Sequence, residues 1–439
     1  MAFTRRRFLV TGSAALTAGA LAPAWSAVPR QLPPVPADLH NWSSVRQQFD
    51  LSPDHIHLGL FYLTSHPRLV RDAIGSFRQT LDRNPFTTVE HSLFEDNVPG
   101  KVAAAIGEYI GGSGDDIALT QNTTTGLTLL YHGLKLKPGD EVLITNHDHF
   151  VHHEAIRLST ERNGATWRKI PLFDSYDAIN ADEMVDRIGK AIRPNTRVVG
   201  VTWVHSSSGL RLPIRRIADR IAEVNRSRDA KDRVLLFVDG VHGIGVEDPA
   251  IVAMGMDAFA AGTHKWIFGP RGTGFVWAKP DVWAMMRPLY PSFTSFDCFA
   301  AWGNETPPAG PARAAWFTPG GFQAFEHWWA LPAAFQFHKA IGSARITERI
   351  HALNQQMNEG LRKLPNVVVY TPLDKNLNAG MVCFDVNGMK AEAVVSKLGE
   401  KKIIASTTPY AKPFGRVACG IINTPAEVEK TVAAVAALG

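Results

Sequence analysis

The chain lacks the residues on which small disulfide scaffolds and zinc sites depend. Its only cysteines are Cys298, Cys383 and Cys419, and no two of them form a CxxC pair, so neither a zinc motif nor a disulfide framework is indicated. No interior segment has the roughly 18 uninterrupted apolar residues that a membrane span needs. We therefore expect no stable membrane insertion, and the 45% of hydrophobic residues suffices for a large core.

A strong charge of either sign is also missing. The formal net charge is +5, and Arg5, Arg6 and Arg7 account for three of these charges, which leaves +2 for the residues from 28 onward. Nucleic-acid binding thereby loses its main electrostatic support, and we expect no nucleic-acid partner.

The N-terminus has the pattern of a processing segment. Residues 4–9 read Thr-Arg-Arg-Arg-Phe-Leu, followed by a weakly apolar, Ala/Gly-rich run. This pattern resembles a bacterial twin-arginine export signal over residues 1–27, with cleavage after Ala24 or Ala27. It predicts recognition by the twin-arginine export machinery and a periplasmic location, with residues 28–49 as a Pro-rich linker or N-terminal arm.

From about residue 100 to 280, short β-branched or apolar runs alternate with longer amphipathic stretches. Such alternation predicts an α/β domain on a mostly parallel sheet, with ligands bound in the loops that follow the strands. The predicted strands are Ile117–Thr120, Glu141–Thr145, Thr166–Pro171, Val198–Val204, Val234–Val238, Ala258–Ala261 and Gly274–Trp277. The predicted helices are Val98–Ile110, Thr125–Leu134, His152–Arg162, Ala181–Ala191 and Ile214–Asn225.

The C-terminal part has a different pattern. A Gly/Pro-rich aromatic stretch at 302–322 precedes a long helical region, roughly Ala324–Lys363, and the remainder mixes short strand and helix patterns. We predict a large cofactor-binding domain over residues 50–310 and a smaller α+β domain over 311–439, to which the N-terminal segment contributes.

Two elements at strand ends indicate the cofactor. Residues 261–266 read Ala-Gly-Thr-His-Lys-Trp, and Lys265 there is placed to form an imine with an aldehyde if desolvation lowers the pKa of its amine. Asp239 ends an apolar strand, where a carboxylate can pair with a protonated pyridine nitrogen, and His242 can reach the phenolic oxygen or the ring. Either element alone would be an ordinary surface lysine or turn aspartate. Together they favour pyridoxal 5'-phosphate (PLP).

A third element, residues 120–127, joins a predicted strand to a predicted helix and reads Thr-Gln-Asn-Thr-Thr-Thr-Gly-Leu. Hydroxyls and free backbone N–H groups at a helix N-terminus form an anion site that suits a phosphate ester. A single threonine would be an ordinary helix cap. The run of three threonines favours the phosphate.

The fourth element, residues 146–154, contains four histidines and two acidic residues after another strand end. A metal site, as in a histidine-bound metallohydrolase, is therefore an alternative. However, His149, His152 and His153 have the spacing of one helix face, and nothing else in the chain completes a zinc motif. We expect no metal, with Phe150 stacked on the cofactor ring and the histidines near the substrate.

In this order, the four elements resemble the class V aminotransferase family, most closely its isopenicillin N epimerase-like branch, which has cysteine desulfurase relatives. The resemblance covers about residues 50–438. It implies the type I PLP-dependent transferase fold, with a mostly parallel seven-stranded sheet in the large domain and a smaller α+β C-terminal domain. It also implies a homodimer, because the sites of this family usually form between subunits.

The resemblance implies a set of cofactor contacts. Asn122, Thr123 and Thr124 match the loop that holds the phosphate, and His264 matches a histidine that assists it. Phe150 matches the residue that stacks over the ring.

It also implies the reactive groups. Asp239 matches the residue on the ring nitrogen, whereas His242 and Ser206 match the groups on the phenolic side. Lys265 matches the lysine that carries the imine. Arg416 matches the arginine that clamps the substrate α-carboxylate, a bidentate task that suits guanidinium.

Two departures from the family pattern concern the phosphate. Gly262 stands where many relatives have Ser or Asn, so either Thr263 substitutes as a phosphate ligand or that contact is absent. Gly320-Gly321 stands where the family has a Gly-Thr that reaches the partner subunit's phosphate, which puts that cross-subunit hydroxyl in doubt.

Persulfide chemistry is disfavoured by a third departure. A desulfurase needs a nucleophilic cysteine on a loop shortly before the carboxylate-binding arginine. Lys401, Lys402 and Ser406 occupy that region, Cys383 lies too far upstream, and Cys419 follows the arginine.

We therefore expect an enzyme that acts on the amine of an amino acid or amino-acid-containing peptide through a Cα carbanion or quinonoid, of the epimerase or aminotransferase type. Decarboxylation and elimination stay open. An alternative, favoured by the export signal, is a periplasmic enzyme that modifies the glutamyl residue of a pyoverdine-like siderophore precursor. An inactive ligand-binding homologue is a third hypothesis, against which Lys265, Asp239 and Arg416 all argue.

Overall fold

The structure, a computed structural model, describes residues 32–36 and 38–438. The predicted export signal and both of its cleavage positions lie outside the described residues. That prediction is therefore carried forward as it stands.

Helices and strands alternate along most of the described chain. The α-helices are α1 Trp42–Arg46, α2 Arg68–Arg83, α3 Pro85–Glu90, α4 Val98–Ile110, α5 Thr123–Gly133, α6 Phe150–Asn163, α7 Ala181–Ala191, α8 Ile214–Asn225, α9 Pro280–Met285, α10 Phe296–Gly303, α11 Phe325–Ile341, α12 Ser343–Arg362, α13 Ala391–Glu400 and α14 Pro425–Ala436. The strands are β1 Ile56–His57, β2 Ile117–Thr120, β3 Glu141–Thr145, β4 Thr166–Ile170, β5 Thr196–Thr202, β6 Leu235–Asp239, β7 Ala258–Gly262, β8 Gly274–Ala278, β9 Val367–Val369, β10 Val382–Val386, β11 Ile403–Ile404, β12 Ser406–Thr407 and β13 Gly415–Val417.

The central sheet has seven strands in the order β2-β8-β7-β6-β5-β3-β4. The five strands β7, β6, β5, β3 and β4 pair in parallel, whereas β8 runs antiparallel to both of its neighbours. The predicted α/β fold with a mostly parallel seven-stranded sheet is confirmed. The reversal at β8 has a simple cause, because residues 263–273 are too few for the helical crossover that a parallel strand needs.

Helices cover both faces of this sheet. Every residue of β2, β3, β6, β7 and β8 is buried, as expected for near-continuous apolar strands between two helical layers. The polar residues that follow β3, β6 and β7 therefore collect at one edge of the sheet, whereas the antiparallel β8 ends at the opposite edge.

The C-terminal region forms its own sheet. Strands β12, β13, β10 and β9 pair antiparallel in that order. Strand β1 pairs in parallel with β11, so the N-terminal segment is held by the C-terminal region before it enters the helices that flank the large sheet. The domain boundaries proposed from the sequence stay a prediction.

The helical region predicted over roughly Ala324–Lys363 is present as two helices, because α11 ends at Ile341 and α12 begins at Ser343. Gly342 between them has φ +96°, a conformation that glycine adopts at little cost and that ends the helix. None of the described helices has both the length and the apolar composition that crossing a membrane requires.

Candidate active site

Lys265 lies on the connection between β7 and β8, at the sheet edge where β6 also ends. The Thr64 hydroxyl donates to the backbone carbonyls of both His264 and Lys265, at 3.0 and 3.1 Å, and so holds this connection under the N-terminal segment. Burial lowers the pKa of the Lys265 amine, Asp239 partly offsets this effect, and Arg416 adds to it. The amine therefore has the desolvated character that imine formation requires.

His242 lies against this amine. Its Nε2 is 3.4 Å from Lys265 Nζ, and its Nδ1 accepts from the Trp266 indole N–H, also at 3.4 Å. Because an indole nitrogen only donates, the neutral imidazole carries its proton on Nε2, the nitrogen that faces the amine. Burial and the nearby charge of Lys265 hold the pKa of His242 well below its ordinary value, so the ring is neutral near pH 7.

Asp239 is the last residue of β6 and is buried. Its Oδ1 accepts from the Val241 backbone N–H at 3.1 Å. Burial raises the pKa of this carboxyl, the Val241 N–H and Lys265 oppose the rise, and Asp148 adds to it. A cation that faced Asp239, such as a protonated ring nitrogen, would favour its charged form.

Arg416 lies in the middle of the C-terminal sheet and is only 5% exposed. Its Nη1 donates to the Ser206 carbonyl at 2.9 Å, its Nε and Nη2 contact Ser406 Oγ, and the guanidinium stacks 4.0 Å from the Phe61 ring centroid. No carboxylate of the described residues forms an ion pair with it. A buried guanidinium without an acidic partner is suited to bind an anion that enters the site.

Asn122, Thr123 and Thr124 lie at the N-terminus of α5, as predicted. Asn122 caps the helix, because its Oδ1 accepts from the Thr125 N–H at 2.9 Å. The Thr123 hydroxyl accepts from the Gly262 N–H at 2.8 Å, which ties this turn to the end of β7 and leaves the hydroxyl proton free. The N–H groups of Thr123 and Thr124 have no intrahelical partner, so this terminus can bind an anion.

Gly262 leaves space between His264 and the threonine turn because it has no side chain. A Cβ at Gly262 would lie 2.8 Å from His264 Cε1 and 3.2 Å from Thr123 Oγ1. His264 therefore lies beside the threonine turn, where it was predicted to assist the phosphate. Glycine stands here in place of Ser or Asn, and the absence of a side chain at Gly262 lets His264 and Thr123 approach each other closely.

The prediction that Thr263 contacts the phosphate needs correction. Its side chain is fully buried, and its hydroxyl pairs with Thr273 Oγ1 at 2.5 Å and lies 3.1 Å from the Thr273 carbonyl. Thr263 thus joins the two ends of the β7–β8 connection, which carries Lys265, and its hydroxyl points away from the site.

Phe150 does not point into the pocket as predicted. Its side chain is 64% exposed, whereas His149 caps α6 and its ring contacts that of Tyr410 edge-on, with centroids 6.1 Å apart. Burial lowers the pKa of His149 to about 4, and the charges of Lys265 and Arg416 contribute. The geometry favours His149 over Phe150 as the aromatic ring beside the reactive amine.

The remaining histidines of residues 146–154 do not converge. His152 is fully buried and lies 2.7 Å from the Tyr131 hydroxyl, His153 contacts the Thr145 carbonyl, and His147 stacks on Phe173. Across the described residues, no three His, Cys, Asp or Glu side chains are grouped to hold a metal ion. Of these histidines, His149 is the one that feels the charges of both Lys265 and Arg416, and its contact with substrate stays a prediction.

Sequence reasoning missed three residues of the site. These are Phe61 under the Arg416 guanidinium, Thr64 over the Lys265 connection, and Tyr410, whose hydroxyl is 2.7 Å from Ser206 Oγ. Phe61 and Thr64 come from the N-terminal segment, more than 140 residues before Ser206. The one available signal was for Tyr410, which lies between two prolines shortly before Arg416.

Gly320-Gly321 lies elsewhere. Together with Phe293 and Phe325, these glycines line a small cavity that contains none of the predicted site residues. The next residue, Phe322, is 82% exposed. Within a single chain, this segment makes no contribution to the site around Lys265.

Comparisons with known proteins identify the family and the fold of the chain. The family that matches the chain is aminotransferase class-V, over residues 72–432. The chain is 26% identical over 418 residues to isopenicillin N epimerase of Streptomyces clavuligerus, which covers 91% of this chain and 98% of that protein. It is 25% identical over 397 residues to a cysteine desulfurase of Haloferax volcanii, which covers 85% and 87%. A solved lysine-to-alanine variant of C-DES, with glycine covalently linked to its PLP cofactor, superposes with a TM-score of 0.77 at 23% identity over 89% of this chain and 98% of that one, and so shares the fold.

Proposed function

This chain belongs to the aminotransferase class-V family of PLP-dependent enzymes, and we propose that it acts on the amine of an amino acid, or of a peptide that presents a carboxylate, by chemistry at Cα. The observation that carries the proposal is the buried guanidinium of Arg416, which has no acidic partner among the described residues and belongs to the same site as Lys265. A guanidinium in this environment selects a carboxylate on the substrate.

The residues of the site fit PLP. The N-terminus of α5, the Thr123 hydroxyl and His264 would hold the phosphate, with Gly262 providing the space between them. Asp239 would pair with the ring nitrogen. The phenolic side would face Ser206 and His242. PLP, when bound, supplies an electron sink for negative charge that develops at Cα.

Lys265, Arg416 and His242 have separate roles in proton transfer and in the orientation of the substrate. Lys265, whose lowered pKa keeps a larger fraction of the amine neutral, would hold the cofactor and would move a proton at Cα. Arg416 grips the carboxylate and so fixes which bond at Cα faces Lys265. His242, with its proton on Nε2, donates towards the amine side of the site.

Sulfur transfer through a cysteine of this chain is not supported. Cys383 and Cys419 are fully buried, and burial raises the pKa of the Cys383 thiol to about 12. Cys298 lies on α10 and not on the loop that leads to Arg416. A nucleophilic thiolate needs access and a lowered pKa, so the proposal is an epimerase or aminotransferase type of reaction.

The N-terminal pattern supports a second candidate. We propose export by the twin-arginine route to the periplasm, where the enzyme would modify the glutamyl residue of a siderophore precursor of the pyoverdine type as its alternative substrate. Turnover of a glutamyl peptide, without turnover of free amino acids, would support this candidate over the first. The proposal also includes a homodimer, since family sites usually form between subunits.

The deciding experiment is reduction of the purified protein with borohydride, followed by mass mapping. A visible band that borohydride abolishes, with a phosphopyridoxyl adduct on the peptide that contains Lys265, supports the proposal. Lys265→Ala should lose both the band and the adduct. The control Lys279→Ala should keep both, because it removes a lysine that lies after β8 and pairs with Asp257. Absence of any band after PLP is added to the wild-type protein would overturn the proposal.

A further inference from the structure

A short hairpin loop brings a tyrosine into the site from the C-terminal region. Residues 408–414 connect β12 to β13, and two hydrogen bonds close the base of this loop: Thr408 N–H to the Phe414 carbonyl and Phe414 N–H to Thr408 Oγ1, both at 2.9 Å. Pro409 and Pro413 restrict the backbone on either side of the tip. The loop thus holds Tyr410 in one place, directly before the strand that carries Arg416.

Tyr410 and Arg416 hold the same residue of the large sheet. The Tyr410 hydroxyl is 2.7 Å from Ser206 Oγ, while Arg416 Nη1 donates to the Ser206 carbonyl at 2.9 Å. Ser206 itself is buried. Its backbone and its side chain are therefore both tied to the C-terminal region, on the side of the site that was assigned to the phenolic oxygen of the cofactor.

The Tyr410 phenol remains protonated at physiological pH. Burial raises its pKa, and Asp148 and Asp239 add to the rise, whereas the hydrogen bond with Ser206 and the charge of Arg416 oppose it. Around the Tyr410–Ser206 pair, the other titratable group in ring contact is His149, which is neutral near pH 7. A phenol that keeps its proton can donate to Ser206 Oγ, which leaves the single serine proton for another acceptor.

We propose that Tyr410 is a positioning residue that orients the Ser206 hydroxyl as a donor to the phenolic oxygen of bound PLP. This inference rests on the proposed function. Through Ser206, Tyr410 tunes the protonation of the imine on Lys265, because a donor to the phenolic oxygen weakens its hold on the proton shared with the imine nitrogen. The C-terminal loop thereby sets the electronic state of a cofactor held by the large sheet.

The test is a pH titration of the visible band of the holoenzyme. Tyr410→Phe removes one hydroxyl and keeps the ring, and we expect the midpoint to rise by about one pH unit, which corresponds to about 1.4 kcal/mol. The matched control is Tyr370→Phe, which removes a hydroxyl that donates to Asp385 and accepts from Lys412 of the same loop without contacting Ser206, and which should leave the midpoint unchanged.

A double-mutant cycle separates action through Ser206 from a direct effect. Ser206→Ala should raise the midpoint as Tyr410→Phe does, and the double variant should equal Ser206→Ala alone. Additive shifts, or a Tyr410→Phe midpoint equal to wild type, would overturn the inference while the wild-type band still upheld the proposed function. If Tyr410→Phe does not retain PLP, the Ser206→Ala variant tests the inference alone. An unshifted midpoint in that variant would overturn the inference. A wild-type protein without a band would overturn both.

Discussion

Asp239 and His242 lie at the end of β6 and Lys265 lies on the connection after β7, and burial shifts each of the three towards its neutral form. Desolvation disfavours charge on both acids and bases, which is why a lysine pKa falls while an aspartate pKa rises at the same place. Arg416 is the exception at this scale, because a guanidinium keeps its charge even when buried. The site therefore combines the permanent positive charge of Arg416 with titratable groups that can gain or lose a proton. This combination suits a substrate that carries both an amine and a carboxylate.

Arg416→Lys tests the role of the guanidinium. The lysine keeps the charge but cannot bind a carboxylate with two parallel hydrogen bonds, so we expect kcat/KM for the substrate to fall by roughly 10- to 100-fold, as for the loss of one charged hydrogen bond. Steady-state kinetics measure the fall, and the visible band should persist as a control. A kcat/KM within twofold of wild type would rule out the carboxylate clamp.

The lowered pKa of Lys265 predicts how cofactor attachment depends on pH. Only the neutral amine attacks the aldehyde, so the rate at which apoenzyme develops the visible band after mixing with PLP should rise with pH. It should then level off well below the ordinary lysine pKa of about 10.4, because burial lowers the folded-state value. Stopped-flow absorbance measures the rate. A rate that keeps rising tenfold per pH unit up to pH 10 would contradict this prediction.

At the scale of elements, the ends of helices and strands determine the site. The N-termini of α5 and α6 present Thr123 and His149 at the same sheet edge at which β6 and β7 end. Parallel strands direct their carboxyl ends to one edge, and helix N-termini add partial positive charge there. The connection from β7 to the antiparallel β8 is short, and it carries Lys265.

The break between α11 and α12 gives an element-scale prediction about stability. Gly342→Ala places a side chain at φ +96° without a steric clash, so we expect a loss of about 1–3 kcal/mol from backbone strain. Gly399→Ala is the matched control, because Gly399 lies in α13 with open space around it and alanine favours the helix by roughly 0.5–1 kcal/mol. Urea unfolding measures both. Equal effects of the two substitutions would show that the break is not held by glycine.

At the scale of the molecule, the C-terminal region contributes Arg416 and Tyr410 to a site whose Lys265 and Asp239 belong to the large sheet and its connections. The parallel pairing of β1 with β11 attaches the N-terminal segment to that region, and Thr64 of the same segment lies over Lys265. Relative movement of the two regions would therefore change the contacts of Ser206 directly.

The expected homodimer is tested by mass. Light scattering after size exclusion should give twice the mass of one chain. Exposed aromatic side chains surround Gly320-Gly321, and Phe322→Glu should therefore weaken the dimer if this segment faces the partner. Leu373→Glu, at an exposed position in the C-terminal region, should leave the mass unchanged. A wild-type mass of one chain would contradict the expectation.

The sequence predicted the sheet closely. Strands Ile117–Thr120 and Glu141–Thr145 and helices Val98–Ile110, Ala181–Ala191 and Ile214–Asn225 have the predicted bounds. Runs of apolar residues and amphipathic periods are local in the chain, so burial of a strand or a helix face can be read from them. The same applies to residues at strand ends, and the structure accordingly brings Lys265 and Asp239 together.

The sequence by itself thus determined the fold class, the sheet edge that carries the site and most of the groups collected there. Only the tertiary structure decided which side chains face the pocket. Thr263 points inwards to Thr273, and His149 replaces Phe150 beside the amine. Tyr410 reaches Ser206 across 204 positions. Side-chain direction in a loop depends on contacts with distant segments, and no local pattern of residues encodes those contacts.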